Sequence, residues 1–199
     1  MSQAAVQRTP ARFDTSVVTG AKAAPFPGFV EPCHSTLREE APAGARWVRE
    51  IKFDGYRTQA HLRNGRPAIY TRRAYDWTLR FRTIADALAA LPADDLILDG
   101  EALVADSRGA PDFGLLHADL AAGRKDRLLY YAFDLLYLDG VDLRGARLAE
   151  RKRLLAELLA DASERILFAE HLEGEGAQIQ ERAGAMGVIF ETPASTPNP

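Results

Sequence analysis

Lysine is scarce in this chain. Of its 25 Lys and Arg residues only four are lysine: Lys22, Lys52, Lys125 and Lys152. Cysteine is scarcer still. Cys33 stands alone, which excludes an internal disulfide and, with no Cys or His cluster at ligand spacing, argues against a structural zinc site. The four histidines, His34, His61, His117 and His171, are isolated from one another, and none is assigned to catalysis. Long apolar runs are missing too. LLYYAF and FDLLYL fall far short of the roughly 20 residues that cross a bilayer, and the N-terminus lacks the basic, apolar, small-residue order of a secretory signal. No membrane association is expected, and the expected location is the cytoplasm. A basic excess is also lacking. The formal net charge is −3, whereas dedicated nucleic-acid binders carry enough cations to neutralise phosphates. Any such contact must be local, through Arg63, Arg66, Arg72, Arg73, Arg80 and Arg82.

What is present reads as one domain with loose ends. Residues 1–24 mix small and polar types without a period and read as a flexible arm; residues 192–199, TPASTPNP with the Thr at 192, read as a disordered tail. Pro25, Pro27, Pro32 and Pro42 make the stretch from Pro25 to Gly44 an extended wrap rather than a helix. From Arg46 the pattern alternates through RWVREIKF and YRTQAHLR, turns at Asn64-Gly65 and returns through RPAIYTRR, an antiparallel meander. WTLRFRTIADALAAL carries Leu79, Ile84, Leu88 and Leu91 near helical spacing and predicts a helix ended by Pro92. LILDGEALVAD reads as a strand pair or one strand kinked at Gly100, and PDFGLLHADLAAG as a helix stopped by Gly123. RLLYYAFDLLYLDG is a long strand closed by Asp139-Gly140, and RLAERKRLLAELLAD a helix with charges and leucines on separate faces. ERILFAEH, EGAQIQERAGAM and GVIFE follow as strand, helix and strand. This order gives an α+β domain over residues 25–191.

Within that frame Lys52 is the unusual residue. In an extended strand Glu50, Lys52 and Asp54 share one face while Ile51 and Phe53 take the other, so the apolar pair anchors the strand and the polar trio meets a cleft or solvent. Gly55 permits a turn or a close approach to the backbone. The same parity groups Ile97, Asp99 and Glu101, and again Tyr131, Phe133 and Leu135. A lysine amine is a nucleophile only when deprotonated, nearby arginines favour that form and clamp phosphates, and a carboxylate such as Glu101 can hold a ribose hydroxyl or a divalent metal. On spacing alone, an ion-paired surface lysine fits as well.

The string Lys52-Phe53-Asp54-Gly55-Tyr56-Arg57 resembles the K-x-D-G-x-R signature of covalent nucleotidyltransferases, which include DNA ligases, RNA ligases and mRNA capping enzymes. Further motifs follow in that family's order. YTRRAYDWTLRF is similar to S-R-N-x-x-D-W-T-x-R-F, with Arg72 at its arginine; LDGEALV resembles the D-G-E motif, with Glu101 at its glutamate; YYAFDLLYLDG resembles F-D-L-L-Y, with Phe133 at its aromatic. FVEPCHSTL resembles the lead-in of the ligase modules of bacterial end-joining DNA ligases, and the likeness runs from about Pro27 to Gly187. It implies the ATP-grasp-like adenylation domain of an ATP-dependent DNA ligase, antiparallel sheets with flanking helices. By this resemblance Lys52 attacks the α-phosphate of ATP with Mg2+ or Mn2+ present. Glu50 and the Ile51 backbone read the adenine edge, Phe133 stacks on the base, Arg57 lies near the ribose and the nick, and Arg72 contacts sugar or DNA phosphate. Glu101 holds the ribose hydroxyl or the metal. The implied partners are nicked double-stranded DNA and other end-joining repair proteins.

Departures from the pattern concentrate near the end. The family reads E-G-[VI]-[VI]-x-K where this chain reads Met186-Gly187-Val188-Ile189-Phe190-Glu191, so methionine replaces a metal-binding glutamate and glutamate replaces a lysine. The K-x-K motif and OB-fold domain that follow in the family are not in this sequence, the pattern of a C-terminally truncated ligase. Three readings therefore stand: a DNA ligase adenylation domain with impaired activity, an inactive nucleotide-binding remnant or partner-binding module, and an RNA ligase or capping-type enzyme.

Overall fold

The computed structural model describes residues 13–33, 49–172 and 189–191. In chain order the elements are β1 (Lys22–Ala23), β2 (Arg49–Lys52), β3 (Tyr56–Arg63), β4 (Arg66–Thr71), α1 (Arg82–Leu88), β5 (Leu96–Leu103), α2 (Phe113–Ala121), β6 (Leu129–Leu138), β7 (Val141–Asp142), α3 (Leu148–Leu159), β8 (Ile166–Phe168), β9 (His171–Leu172) and β10 (Ile189–Glu191). Among the described residues these form two sheets. The larger has the order β1-β7-β6-β5-β3-β4, with β8 added on β6; the smaller has the order β10-β2-β9. All pairings are antiparallel except β6 with β8, which run parallel because α3 carries the chain back across the sheet. The α+β reading holds.

The meander follows from its turn residues. Asn64 and Gly65 take φ of 49° and 70°, the left-handed pair that a two-residue hairpin needs, and Arg63 faces Arg66 across it. Asp139 and Gly140 repeat the device at φ of 42° and 91°, and the Asp139 carboxylate accepts from the N–H groups of Asp94 and Asp95 at 2.9 Å each. On one face of the large sheet Ala60, Leu62, Leu96, Leu98, Tyr130 and Ala132 join Ile84 and Leu88 of α1 and Leu154, Leu155 and Leu158 of α3 in the main core. On the other face Ile97 and Tyr137 pack with Phe26 and Val30 of the proline-rich wrap.

The described part of that wrap, residues 25–33, forms no helix, as its prolines predict, and β3 holds it down. The Gln59 carboxamide accepts from the Val30 N–H at 3.1 Å and donates to the Val30 carbonyl. Arg57 donates to the Cys33 carbonyl at 2.7 Å, the Tyr137 hydroxyl donates to the Ala24 carbonyl at 2.9 Å, and Phe26 packs edge-on against His61 and Tyr137. His61 is thus a buried structural residue. Burial pulls its pKa down to about 4, so it stays neutral, and it lies 3.2 Å from the Gln59 oxygen.

Four expectations need correction. The segment 13–24, read as part of a flexible arm, buries Phe13 and Val18 in the main core and pairs β1 with β7, because two apolar side chains in a polar stretch suffice to seat it. The helix expected from Trp77 starts only at Arg82, and Leu79 is exposed. Asp76 captures the N–H and hydroxyl of Thr78, whose hydroxyl oxygen accepts from the Ile69 N–H, and this side-chain turn outcompetes a helical start. The leucine face of α3 is not purely apolar, since Lys152 sits in it among Leu148, Leu155 and Leu159. Leu135 does not share a face with Phe133 but lies in the main core. The ladder between β5 and β6 slips twice, leaving Leu136 and Phe133 as extra residues on β6, so parity is lost at each slip. LILDGEALV is accordingly one strand with an irregularity at Gly100 rather than two. The expected helix over EGAQIQERAGAM, with Met186 and His34, lies outside the described residues.

Candidate active site

Lys52 ends β2 with its side chain exposed, at the junction of the two sheets. Ile51 and Glu50 precede it in the same strand, flanked by β10 on one side and β9 on the other. Three residues later Gly55 lets β3 begin directly against β5. A Cβ at this glycine would stand 2.4 Å from the Ala102 carbonyl oxygen and 3.1 Å from the Glu101 Cγ, so the neighbour that demands glycine is the β5 backbone. Phe53 turns inward and stacks on Tyr131 of β6, ring centroids 4.3 Å apart.

Arg57 faces Glu101 in the β3–β5 register. Its guanidinium grips the buried Asp99 from two nitrogens, at 2.9 and 3.3 Å, and stands 5.4 Å from the centre of the Phe133 ring. Burial pushes the Asp99 carboxyl up while Arg57 opposes it. Arg57 is thereby a clamp between β5, the wrap and the aromatic of β6. Arg72 lies on the exposed turn after β4, its N–H bonded to the Arg57 carbonyl at 3.2 Å. Phe133 reaches the site from a bulge, which re-aims a side chain relative to its strand neighbours. Glu50 points to α3, where its carboxylate meets the Lys152 ammonium.

Glu101 is a strongly perturbed acid. Burial pushes its carboxyl up to about 8, against the pull of Lys52 and Arg57 and of the Gly55 N–H. The ordinary value is 4.5, so the folded chain keeps a proton that the unfolded chain has lost, and stability falls as pH rises from about 4.5 to about 8. Glu101→Gln removes this fall. Urea unfolding at pH 5 and pH 8 should show a stability drop smaller in the variant by about 1–3 kcal/mol, each pKa unit being worth about 1.4 kcal/mol before discounting for partial exposure. Equal drops in the two proteins would contradict the assignment.

Glu101 feels both Lys52 and Arg57, and Arg57 stands beside Phe133, while Glu50 and Ile51 lie in the strand that Lys52 ends and Arg72 on the turn after β4. Asp99 and Lys152 were missed as members of this group. Asp99 could have been found from its parity with Glu101, and Lys152 from its place in a leucine stripe. As for a metal, no group of three or more His, Cys, Asp or Glu side chains is poised for one among the described residues. Glu101 is a single carboxylate between two cations, which fits only an ion that takes most of its ligands from substrate phosphates and water. No helix among the described residues is long and apolar enough to cross a membrane.

Comparison with known proteins gives this arrangement a family. The model of the ATP dependent DNA ligase domain matches residues 29–184. The multifunctional non-homologous end joining protein LigD of Pseudomonas aeruginosa is 39% identical over 140 residues, which is 70% of this chain and 16% of that protein. Among solved structures, the ligase domain of Mycobacterium tuberculosis LigD superposes with a TM-score of 0.66 at 36% identity, over 76% of this chain and 48% of that one. A mycobacterial DNA ligase D complexed with ATP and MES superposes with a TM-score of 0.63 at 33% identity, over 76% and 49%. The chain thus spans about a sixth of that curated relative and about half of those structures. With the motif order, the α+β fold and a family match over most of its length in agreement, this chain belongs to the ATP-dependent DNA ligase domain family.

Proposed function

We propose that this chain is the adenylation module of a DNA end-joining ligase, forming a lysyl-AMP adduct at Lys52 slowly by the standards of its family. The observation that carries the reading is a chain of neighbours at the end of β2: the exposed Lys52 acts on the buried Glu101 carboxyl, Arg57 acts on the same carboxyl, and Arg57 stands 5.4 Å from the centre of the bulge-aimed Phe133 ring. Adenine stacks on Phe133, with its edge against the β2 backbone at Ile51. Glu101 meets the ribose hydroxyl or, ionised, the metal. The Lys52 amine, after losing a proton to solvent, attacks the α-phosphorus; a P–N bond forms, the bond to the β-phosphate oxygen breaks, and pyrophosphate leaves. AMP then passes to the 5′-phosphate of nicked duplex DNA, and the 3′-hydroxyl displaces it. A divalent metal such as Mg2+, held by Glu101 and the nucleotide phosphates, would supply charge neutralisation at the transferring phosphoryl group. Arg72 and the exposed Arg63, Arg66, Arg73, Arg80 and Arg82 offer the local positive charge for DNA that the net charge of −3 does not provide. End-joining repair proteins are the partner class that this reading implies.

Slow chemistry follows from Met186 and Glu191, which stand where the family pattern has a glutamate and a lysine. Glu191 lies opposite Glu50 in the β10–β2 register, so a negative residue flanks the strand that meets the triphosphate. That observation also keeps a second reading in view, a module that binds the nucleotide without transferring it. Calorimetry with ATP tests the shared core of both. The wild type should bind, and Phe133→Ala should weaken binding by roughly 10-fold, the typical worth of one base stacked on an aromatic ring. Binding that is unaffected by loss of the ring would sink the placement of the base.

A further inference from the structure

Lys152 is an odd tenant of the core. It is 1% exposed, where lysine is almost never found unless paired, and it occupies a leucine position of α3. An ammonium has three protons to donate, and here three acceptors meet it: the Glu50 carboxylate, the Ala169 carbonyl at 2.9 Å and the Phe133 carbonyl at 3.2 Å. Its charge also faces the Phe168 ring at 5.0 Å. These acceptors come from three separate places: β2, β6 and the residue just after β8.

Two of the three are the very elements assigned to the base. Glu50 precedes Ile51 and Lys52 in β2, and Phe133 is the bulge residue of β6. The neighbouring side chain of α3 reinforces the grip, since Arg151 holds Asp134 in a two-pronged pair at 2.7 and 2.8 Å. The bulge at Phe133 is therefore held on its own carbonyl by Lys152 and on the next side chain by Arg151. A bulge leaves its extra residue outside the ladder, so an external tie is what fixes its direction. Stability alone does not call for such an arrangement, because apolar side chains of similar volume commonly replace a buried ion pair without loss.

We propose that Lys152 is a positioning residue for the nucleotide. Through Glu50 it sets β2, and with it Ile51 and Lys52; through the Phe133 carbonyl it sets the stacking ring, so that the two sides of the adenine slot keep their spacing before ATP arrives. The inference rests on the adenylation reading for its purpose but not for its structural content.

Hydrogen–deuterium exchange on the full chain without nucleotide tests the structural content, and ATP binding tests the purpose. In Lys152→Met, amides of β2 and of residues 131–135 should exchange at least 10-fold faster while those of β3 and β4 keep wild-type rates, and ATP should bind roughly 10-fold more weakly. Glu50→Gln, a change at the half-buried end of the pair, should show the same local pattern more mildly, and it carries the test if the Met variant fails to fold. Wild-type exchange in both segments of a folded variant would overturn the proposal. So would a uniform rise across all strands, which is the mark of a merely structural ion pair. Local loosening in a chain whose wild type binds no ATP would sustain the positioning role and overturn the proposed function instead.

Discussion

Met186→Glu combined with Glu191→Lys is expected to raise the rate of lysyl-AMP formation by on the order of 10²–10³-fold. The reason is electrostatic. Negative charge builds on the phosphoryl oxygens as the α-phosphorus is attacked, and the cost of that charge is set by groups aimed at it beforehand. In this chain a methionine stands at 186 and a carboxylate at 191, and the backbone register places Glu191 across from Glu50, two residues from Lys52. Restoring the family's residues exchanges a negative charge for a positive one and returns the carboxylate that the family pattern has at this position. Glu191→Lys alone should give the smaller part of the gain. Single-turnover labelling with ATP and Mg2+ reads the effect. A double variant within a factor of two of the wild type would mean that these positions do not limit the reaction.

Gly55→Ala should cost roughly 2–3 kcal/mol of stability and remove most adenylation. The methyl group would meet the Ala102 carbonyl oxygen at 2.4 Å, with the Leu103 Cβ and the Glu101 Cγ at 3.1 Å. The first of these belongs to the backbone of β5, the central strand paired on both sides, and cannot swing away as a side-chain tip could. The start of β3 must shift instead, and it lies between Lys52 and Arg57. Gly65→Ala is the useful control. Its φ of 70° is strained for alanine, but nothing lies within 4 Å of the added methyl, so a loss of about 1–2 kcal/mol without a loss of site geometry is expected. Urea unfolding and labelling on both variants separate strain from displacement. Equal labelling by the two variants would argue against the close approach at Gly55.

Local chemistry made much of this legible beforehand. Asn64-Gly65 and Asp139-Gly140 announce their turns because few other residues take positive φ, and α3 shows its leucines at helical spacing. Lys52, Glu101 and Phe133 stand in motifs whose order survives in the chain. What stayed hidden is non-local. Nothing near Lys152 in sequence points to Glu50, 102 positions away, and the two slips of β6 against β5 leave no mark on an apolar run that alternates poorly in any case. The start of α1 was misplaced because the Asp76–Thr78 turn competes with a helix whose spacing looked continuous. The seat of Phe13 and Val18 was missed for a similar reason, since composition averages over the two residues that matter.

Intact mass after incubation with ATP and Mg2+ shows whether Lys52 is the nucleophile of a nucleotidyl-transfer site. A fraction of the wild type should gain the mass of one AMP, pyrophosphate should appear in equal amount, and Lys52→Ala, folded to the same degree, should gain nothing. An adduct of the same yield in Lys52→Ala, or none in a wild-type chain that is folded and saturated with ATP, would contradict that role.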